Sequence, residues 1–385
     1  MVAGEASGDQ HAAMLGEALR ERSPIRLVGV GQQRMREAGF ELLFDSTSWG
    51  AISATESLKL LPKLYLRLKQ IQGWVTRNRP ELVVLVDFGA FNLRLAHRVR
   101  RRLGRRILYY FPPRSWSRSA RGFDRLAHLM DRVATPFPWS ADLLRGSGID
   151  ATWVGHPVID RIEPLEDRCP LRRELGLRAK APTIGLLPGS RPAEIRCNGP
   201  QALAAAQIIR NQLADAQILL SVAPTVRAST LERQARRAGL SEVRLLPGTR
   251  SIVQAADLVI TSSGTATLEA AAAACPMVVF YRGTTLMHLE LLLRRPKLRF
   301  IAMPNIVAER RVVPELVHLE ATGAVLAERA LRLLRDPDAL RAMRRELLEV
   351  RAALGEPGVS GRVAEIALEM VSGPGEGRRG ARPAS

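Results

Sequence analysis

Short β-branched and leucine-rich runs alternate with longer segments of helical character, and the alternation passes through the chain twice. The first set is RLVGVG (Arg26 to Gly31), LVVLVDF (Leu82 to Phe88), RILYYF (Arg106 to Phe111) and RVATPF (Arg132 to Phe137). The second set is TIGLLPGS (Thr183 to Ser190), QILLSVA (Gln217 to Ala223), VRLLPG (Val243 to Gly248), LVITSSG (Leu258 to Gly264) and MVVFYR (Met277 to Arg282). Near-continuous apolar runs joined by crossover-length segments are the pattern of parallel strands buried on both faces by helices. A Pro- and charge-rich stretch, Pro157 to Pro182, lies between the sets. With 385 residues, 46% of them hydrophobic, the chain has enough apolar material for a core in each half.

The expected fold is α/β, with two Rossmann-like domains facing a cleft where ligands sit beyond the carboxyl ends of the strands. The expected boundaries are 1–160 for the first domain, 161–355 for the second, 356–372 for a C-terminal helix crossing back onto the first, and 373–385 for a disordered Gly/Pro/Arg-rich tail. From about Glu315 the chain reads as helices. At the start, Met1-Val2-Ala3 runs straight into the loop GEASGD and leaves no room for the strand that should feed it. An upstream extension supplying that strand is favoured over its absence.

Three scattered cysteines, Cys169, Cys197 and Cys275, form no C-x-x-C pair, which argues against a disulfide framework or zinc site and for a reducing cytoplasm. No leader pattern opens the chain, and the apolar runs are shorter than the roughly 20 residues a membrane-spanning helix needs. With 57 Lys+Arg against 38 Asp+Glu, the charge of +19 suits nucleic acid, anionic lipid or phosphorylated substrates, although a high-GC genome also produces such an arginine excess without selection for binding. Aromatic residues are only 5% of the chain, which speaks against nucleic acid.

The segment TSSGTATLEAA (Thr261 to Ala271) ends a strand in small residues and opens a helix, whose unpaired N–H groups and dipole favour an anion. Ser263, Gly264 and Thr265 suit close approach of a diphosphate, and Glu269, one helical turn on, suits both hydroxyls of a ribose. A Ser/Thr-capped helix with an incidental glutamate is the plainer reading. In LLPGSRPAEI (Leu186 to Ile195), Gly189 and Ser190 form a second turn, and Arg191 is placed to neutralise charge on a departing diphosphate. GEASGD is a third small-residue loop before a helix. No G-x-x-x-x-G-K-[ST] occurs, which argues against a P-loop NTPase.

These segments occur in a characteristic order: GEASGD, VGVG with Met35 and Gly39, Glu56, Asp87 with Phe91-Asn92, Pro113 with Trp116, VGHP (Val154 to Pro157), LLPGSR, SSGTATLEAA, PMVVFYR, MPNI (Met303 to Ile306), VPEL (Val313 to Leu316) and LGEPG (Leu354 to Gly358). From Gly4 to Val371 the chain resembles the lipid-A-disaccharide synthase family. The resemblance implies a GT-B fold and inverting transfer of 2,3-diacylglucosamine from its UDP derivative to 2,3-diacylglucosamine 1-phosphate. No cofactor or metal is expected. The resemblance further implies that Arg191, Glu269 and Asn305 lie in the UDP-sugar region and that Ser7, Gly8 and Asp9 line the first domain's side of the cleft. The expected partners are a UDP-sugar, a glycolipid and the anionic cytoplasmic face of the inner membrane.

The chain departs from the family at three places. The second carboxylate of D-x-P-D-F-N, the favoured base, is Ala90; W-A-W is Trp116-Ser117-Arg118; and the Glu after P-F is Ser140. A base within hydrogen-bond reach of the acceptor hydroxyl is still required. Asp87, ending a buried strand, is first choice, with Asp9 and Glu56 behind it; a different glycolipid acceptor is the alternative. Asp336-Pro337-Asp338 has metal-binding D-x-D spacing but reads as an N-cap turn between helices. His156 reads as structural. Thr55 to Gln72 carries Leu58, Leu61, Tyr65 and Leu68 on one face and Lys59, Lys63 and Arg67 on another, which fits a membrane-surface helix or a core helix with a basic outer face. Leu286 to Phe300 carries the same ambiguity.

Overall fold

The computed structural model describes residues 1–47, 49, 54–103, 106–113, 115, 117, 128–223, 226–240, 242–283 and 299–372, with backbone only for 54–60 and 101–103. The chain forms two compact units, one of Met1–Pro157 completed by the segment from Gly358, the other Val158–Pro357. It passes between them after Pro157 and again after Pro357.

In the first unit the strands are β1 (Val2–Ala3), β2 (Val28–Gly31), β3 (Glu41–Asp45), β4 (Leu82–Val86), β5 (Arg106–Tyr110), β6 (Arg132–Thr135) and β7 (Ala151–Trp153). They form one parallel sheet in the order β3-β2-β1-β4-β5-β6-β7. The second unit has β8 (Thr183–Leu187), β9 (Gln217–Val222), β10 (Val243–Pro247), β11 (Leu258–Ser262), β12 (Met277–Tyr281) and β13 (Glu315–Val317), also parallel, in the order β10-β9-β8-β11-β12-β13. In each sheet the order reverses once, between β1 and β4 and between β8 and β11. At such a reversal successive crossover helices leave to opposite faces, and a crevice opens beyond the strands' carboxyl ends.

Two expectations need correction. The first strand is present: Val2 pairs with Val30 on one side and with Leu85 on the other, and Ala3 pairs with Val86. Two residues suffice because a central strand draws ladder hydrogen bonds from both neighbours, and both side chains are buried. The region after Glu315 is not all helix, since Glu315–Val317 extends the second sheet alongside Val279–Tyr281. That three-residue strand lies below the length at which hydrophobic periodicity is readable. The same holds for β7, and β3 begins and ends in acidic residues.

Each sheet has its own core. In the first, Leu85, Ile107, Tyr109 and Val133 pack with Leu68, Ile71 and Val75 of the helix Ala54–Asn78 and Leu95 and Val99 of the helix Gly89–Leu103. In the second, Ile184, Leu186, Leu220, Ile260 and Phe280 pack with Leu203, Ala206 and Ile209 of the helix Pro192–Gln212 and Leu326, Ala327 and Ala330 of the helix Gly323–Leu334. The terminal helix Val359–Ser372 lies on the helix Ala6–Arg22 of the first unit, burying Val359, Val363, Ile366, Ala367 and Met370. Arg132 pairs with Glu369 at 2.7 Å, and Arg362 donates to the Val154 carbonyl at 3.0 Å, so polar bonds reinforce the apolar seam.

The basic amphipathic helix divides along its length. Leu68 is 3% exposed and belongs to the core, which corrects its place on the proposed membrane face. Leu61, two helical turns earlier on the same side, is 46% exposed, so the core beneath that side ends between them. Tyr65 and Leu66 are also exposed. The Leu58 and Lys59 side chains, and 286–298 of the second amphipathic segment, lie outside the described residues.

Candidate active site

At the reversal of the second sheet, β11 ends in Ser262 and the helix Thr265–Ala272 begins after Ser263-Gly264. Gly264 has φ +143° although nothing lies within 4 Å of where a Cβ would sit, so glycine is required by the backbone and not by crowding. Gly264 and Thr265 are exposed at the start of the helix, where N–H groups lack intrahelical partners. Ser263 is turned inward: its Oγ donates to the Ile301 carbonyl at 2.7 Å and its N–H to the Phe280 carbonyl at 3.0 Å. Both of its donors thus tie loops together within the protein. Thr267 Oγ1 donates to the Gly264 carbonyl at 2.7 Å and accepts the Met303 N–H at 3.3 Å, which fixes the turn from below.

Glu269 points from the first turns of this helix and is only 8% exposed. Thr249 Oγ1 donates to one carboxylate oxygen at 2.6 Å, and Arg161 Nη1 to the other at 3.2 Å. The plainer sequence reading, an incidental glutamate, does not account for a nearly buried carboxylate with two dedicated donors.

Across the reversal, β8 leads through Pro188-Gly189-Ser190-Arg191 into the helix Pro192–Gln212. Glu194 closes this turn on itself. Its Oε2 accepts the N–H of Ser190 at 2.9 Å and of Arg191 at 3.2 Å, and its Oε1 lies 3.5 Å from Arg191 Nη1. A Cβ on Gly189, at φ +134°, would fall 2.6 Å from Glu194 Cβ, so this close approach demands the glycine. The amides of Ser190 and Arg191 thus serve a capping box, and the Arg191 guanidinium is 38% exposed. Glu194, three residues after Arg191, is the sequence signal for this arrangement. Beside it the Tyr281 hydroxyl has its pKa raised, by burial first and then by the Glu194 charge.

Asn305 is engaged entirely within the protein. Its Oδ1 accepts the N–H groups of Val312 at 2.7 Å and Val313 at 2.9 Å, while Nδ2 donates to the Val313 carbonyl at 2.9 Å and Glu315 Oε1 at 2.8 Å. A primary amide has two donors and two principal acceptor positions, and here all are used within the protein. Asn305 is 0% exposed and latches the chain between the helix Met303–Ala308 and β13. Buried Asn198 makes a similar tie, donating to the Pro188 carbonyl at 3.1 Å and accepting the Arg282 N–H at 2.9 Å.

In the first unit, the reversal brings Gly4 to Asp9 beside the end of β4. Asp87 and Phe88 adopt φ +49° and +50°, and Phe111 at the end of β5 adopts +60°. Three non-glycine residues in the left-handed region at adjoining strand ends mark a strained rim, held by its surroundings. Asn92 Nδ2 lies within bonding distance of the carbonyls of Val2, Val86 and Asp87, clamping the ends of β1 and β4. Tyr109 Oη donates to the Asp87 carbonyl at 2.8 Å; burial, then the nearby Asp87 charge, holds this phenol protonated. Gly4 has no alternative, since a Cβ there would lie 2.2 Å from the Phe88 ring.

The Asp87 side chain is partly exposed and receives the Ser7 hydroxyl at 3.4 Å. A Cβ on Gly8 would meet the Val86 carbonyl at 3.4 Å, an ordinary contact, so the space beside β4 does not itself demand glycine there. Asp9 is 3% exposed, and its carboxylate accepts the N–H groups of Gln32, Arg34 and Met35. Burial raises its pKa, while these three bonds act to lower it. Through these bonds Asp9 caps the helix Gln33–Glu37.

His11 stacks on Phe111 with ring centroids 4.5 Å apart, and His156 meets that ring edge-on at 5.3 Å. Ala90 is exposed in the first turn of its helix, and Ser140 is buried, its Oγ bonded to Thr135 Oγ1 at 2.9 Å. Glu56's side chain, Trp116 and Arg118 lie outside the described residues. Asp336 Oδ1 accepts the Ala339 N–H at 2.9 Å and caps the helix Pro337–Ala353, the turn expected from Asp-Pro-Asp.

A family model described as lipid-A-disaccharide synthetase matches residues 1–369. The chain is 38% identical over 373 residues to a lipid-A-disaccharide synthase of Anaeromyxobacter dehalogenans, covering 96% of this chain and 97% of that one. It is 35% identical to one of Myxococcus xanthus, covering 96% and 97%. Among solved structures it is similar to a putative UDP-N-acetylglucosamine 2-epimerase from Listeria monocytogenes (TM-score 0.65, 14% identity, 97% of both chains). It is also similar to the glycotransferase of kitacinnamycin (TM-score 0.61, 14% identity, 96% of this chain and 98% of that one). Epimerase and transferase share this fold, so the fold alone does not choose the reaction.

Proposed function

The chain belongs to the lipid-A-disaccharide synthase family, and from that premise we propose how its two crevices divide the chemistry. The second unit holds UDP-2,3-diacylglucosamine at the β8/β11 reversal. The exposed amides at Gly264 and Thr265 face the diphosphate, Glu269 meets the ribose, and the Arg191 guanidinium neutralises charge as UDP leaves. The first unit takes 2,3-diacylglucosamine 1-phosphate at the β1/β4 reversal, lined by Ser7 and Gly8. Asp87 removes the proton of the acceptor 6-hydroxyl as that oxygen bonds the donor's anomeric carbon and the bond to the diphosphate breaks, with inversion. The proton passes from Asp87 to solvent after the β-1′,6 disaccharide forms.

The observation that carries the donor site is the nearly buried Glu269 carboxylate below the glycine turn of Gly264. The Asp87 role rests on its partly exposed carboxylate at a strained strand end and on alanine at position 90. Asn305, Asp9 and the Ser263 hydroxyl take no ligand contact in this reading, because their bonds are made within the protein. The assay is full-length protein with the two diacylglucosamine substrates, following disaccharide and UDP together. Equimolar appearance supports the reading; turnover only with another glycolipid acceptor overturns it.

Peripheral attachment to an anionic bilayer at the cytoplasmic face of the inner membrane belongs to the same reading. Leu61, Tyr65 and Leu66 are exposed on the helix that also carries Lys63 and Lys69, with Lys69 Nζ 4.8 Å from the Tyr65 ring centre. A hollow of about 410 Å³ lined by Phe44, Lys69, Trp74 and Arg77 lies further along this helix. Exposed apolar side chains interleaved with lysines suit the headgroup boundary of such a bilayer. No helix among the described residues is long and apolar enough to cross a membrane.

A further inference from the structure

Thr249 stands at the N-cap of the helix Arg250–Ala255, yet its side chain makes no cap hydrogen bond. A threonine there ordinarily accepts from the second or third helical N–H. Here the hydroxyl instead donates to Glu269 Oε2 at 2.6 Å, across twenty residues of sequence. Arg161, at the end of the helix Val158–Arg161, reaches the other oxygen at 3.2 Å; its side chain is 21% exposed and that of Glu269 10%. One carboxylate oxygen is thus held by a hydroxyl and the other by a guanidinium, from two distant parts of the chain.

We propose that Thr249 and Arg161 are positioning residues that fix the Glu269 carboxylate so that it reads a cis-diol, making the site selective for ribonucleoside over 2′-deoxyribonucleoside diphosphates. Each carboxylate oxygen has about two acceptor positions. With one on each taken by Thr249 and Arg161, one on each remains, matching the two vicinal hydroxyls of a ribose. The ion pair compensates the buried charge, and the hydroxyl removes the freedom of the carboxylate to rotate, so little ordering is left for the ligand to impose. A 2′-deoxy ligand would leave one oxygen of a buried carboxylate short of a donor, which is the costly kind of mismatch. This inference rests on the reading that Glu269 meets the ribose, and the experiment separates the two.

Calorimetric titration of the full-length protein with UDP and with 2′-deoxy-UDP gives the ratio of the two dissociation constants. The wild type is expected to favour UDP by about tenfold or more. Glu269→Ala should bring the ratio close to one. Thr249→Val, which keeps shape and β-branching but lacks the hydroxyl, and Arg161→Gln should each lower the ratio by about threefold or more, mainly by weakening UDP. Thr249→Ser should restore it, a rescue that a packing role for the threonine methyl would not give. If Glu269→Ala removes the selectivity while Thr249→Val and Arg161→Gln retain it in full, the positioning role is overturned and the ribose contact stands. If Glu269→Ala retains the selectivity, the ribose contact itself falls, and the positioning proposal with it.

Discussion

Asn305→Ala offers the sharpest separation of a structural latch from a ligand contact. The substitution removes the acceptor of two backbone N–H groups, Val312 and Val313, and a donor to the Val313 carbonyl and to Glu315. Glu315 keeps the N–H groups of Ile301 and Ala302, so its loss is partial. Val312 and Val313 are 6% and 0% exposed, which gives water little access to the stranded amides. At about 1–3 kcal/mol for each orphaned buried N–H, the expected destabilisation is about 4 kcal/mol. For a unit of this size, on the order of 2–4 °C per kcal/mol places its calorimetric transition about 10 °C lower. The first unit's transition should move little if the two melt separately. Asn305→Asp should be at least as harmful at neutral pH, because it sets a carboxylate oxygen against Glu315 Oε1 and the Val313 carbonyl. Burial and that neighbour would raise the folded-state pKa of the introduced group, so its penalty is smallest below the ordinary aspartate range and grows as pH rises. A melting transition within about 2 °C of wild type, combined with weakened UDP binding, would refute the latch and return Asn305 to the ligand.

Other expectations follow from the same geometry. Asp87→Asn should lower kcat by about a hundredfold or more with UDP affinity nearly intact, and Ala90→Asp should raise turnover of the lipid-A acceptor; near-full activity of Asp87→Asn in steady-state assays would move the base elsewhere. Turnover should persist in excess chelator, and loss of activity rescued by magnesium or manganese would contradict that. Binding to vesicles should rise with anionic lipid and fall with salt, as a Debye length of about 8 Å in physiological salt requires, and Tyr65→Glu should weaken it without lowering the melting transition. Leu68→Ala, by contrast, should cost about 2–5 kcal/mol of stability, because that residue lies in the core.

Local pattern carried the architecture. The runs at Leu82, Arg106, Thr183 and Leu258 are buried strands in the structure because a strand covered on both faces must be apolar nearly throughout, and this is legible in one dimension. The glycine-containing turns at Gly189 and Gly264 were legible for the same reason, since the chain must reverse where a strand ends. Val2–Ala3 and Glu315–Val317 were not, because a strand of two or three residues is specified by its neighbours' hydrogen bonds and not by its own period.

The roles within the sites were decided by tertiary structure. Asp9, Ser263 and Asn305 are polar residues of kinds that serve ligands and loops alike. Which task each performs depends on partners distant in the chain: Gln32 and Arg34 for Asp9, Ile301 for Ser263, Val313 and Glu315 for Asn305. Thr249 and Arg161 carried no local signal at all, since only folding brings them to Glu269. The sequence determines what each residue is able to donate or accept and where the chain turns. Only the fold allots those donors and acceptors, because a buried polar group must find its partner in space and not along the chain.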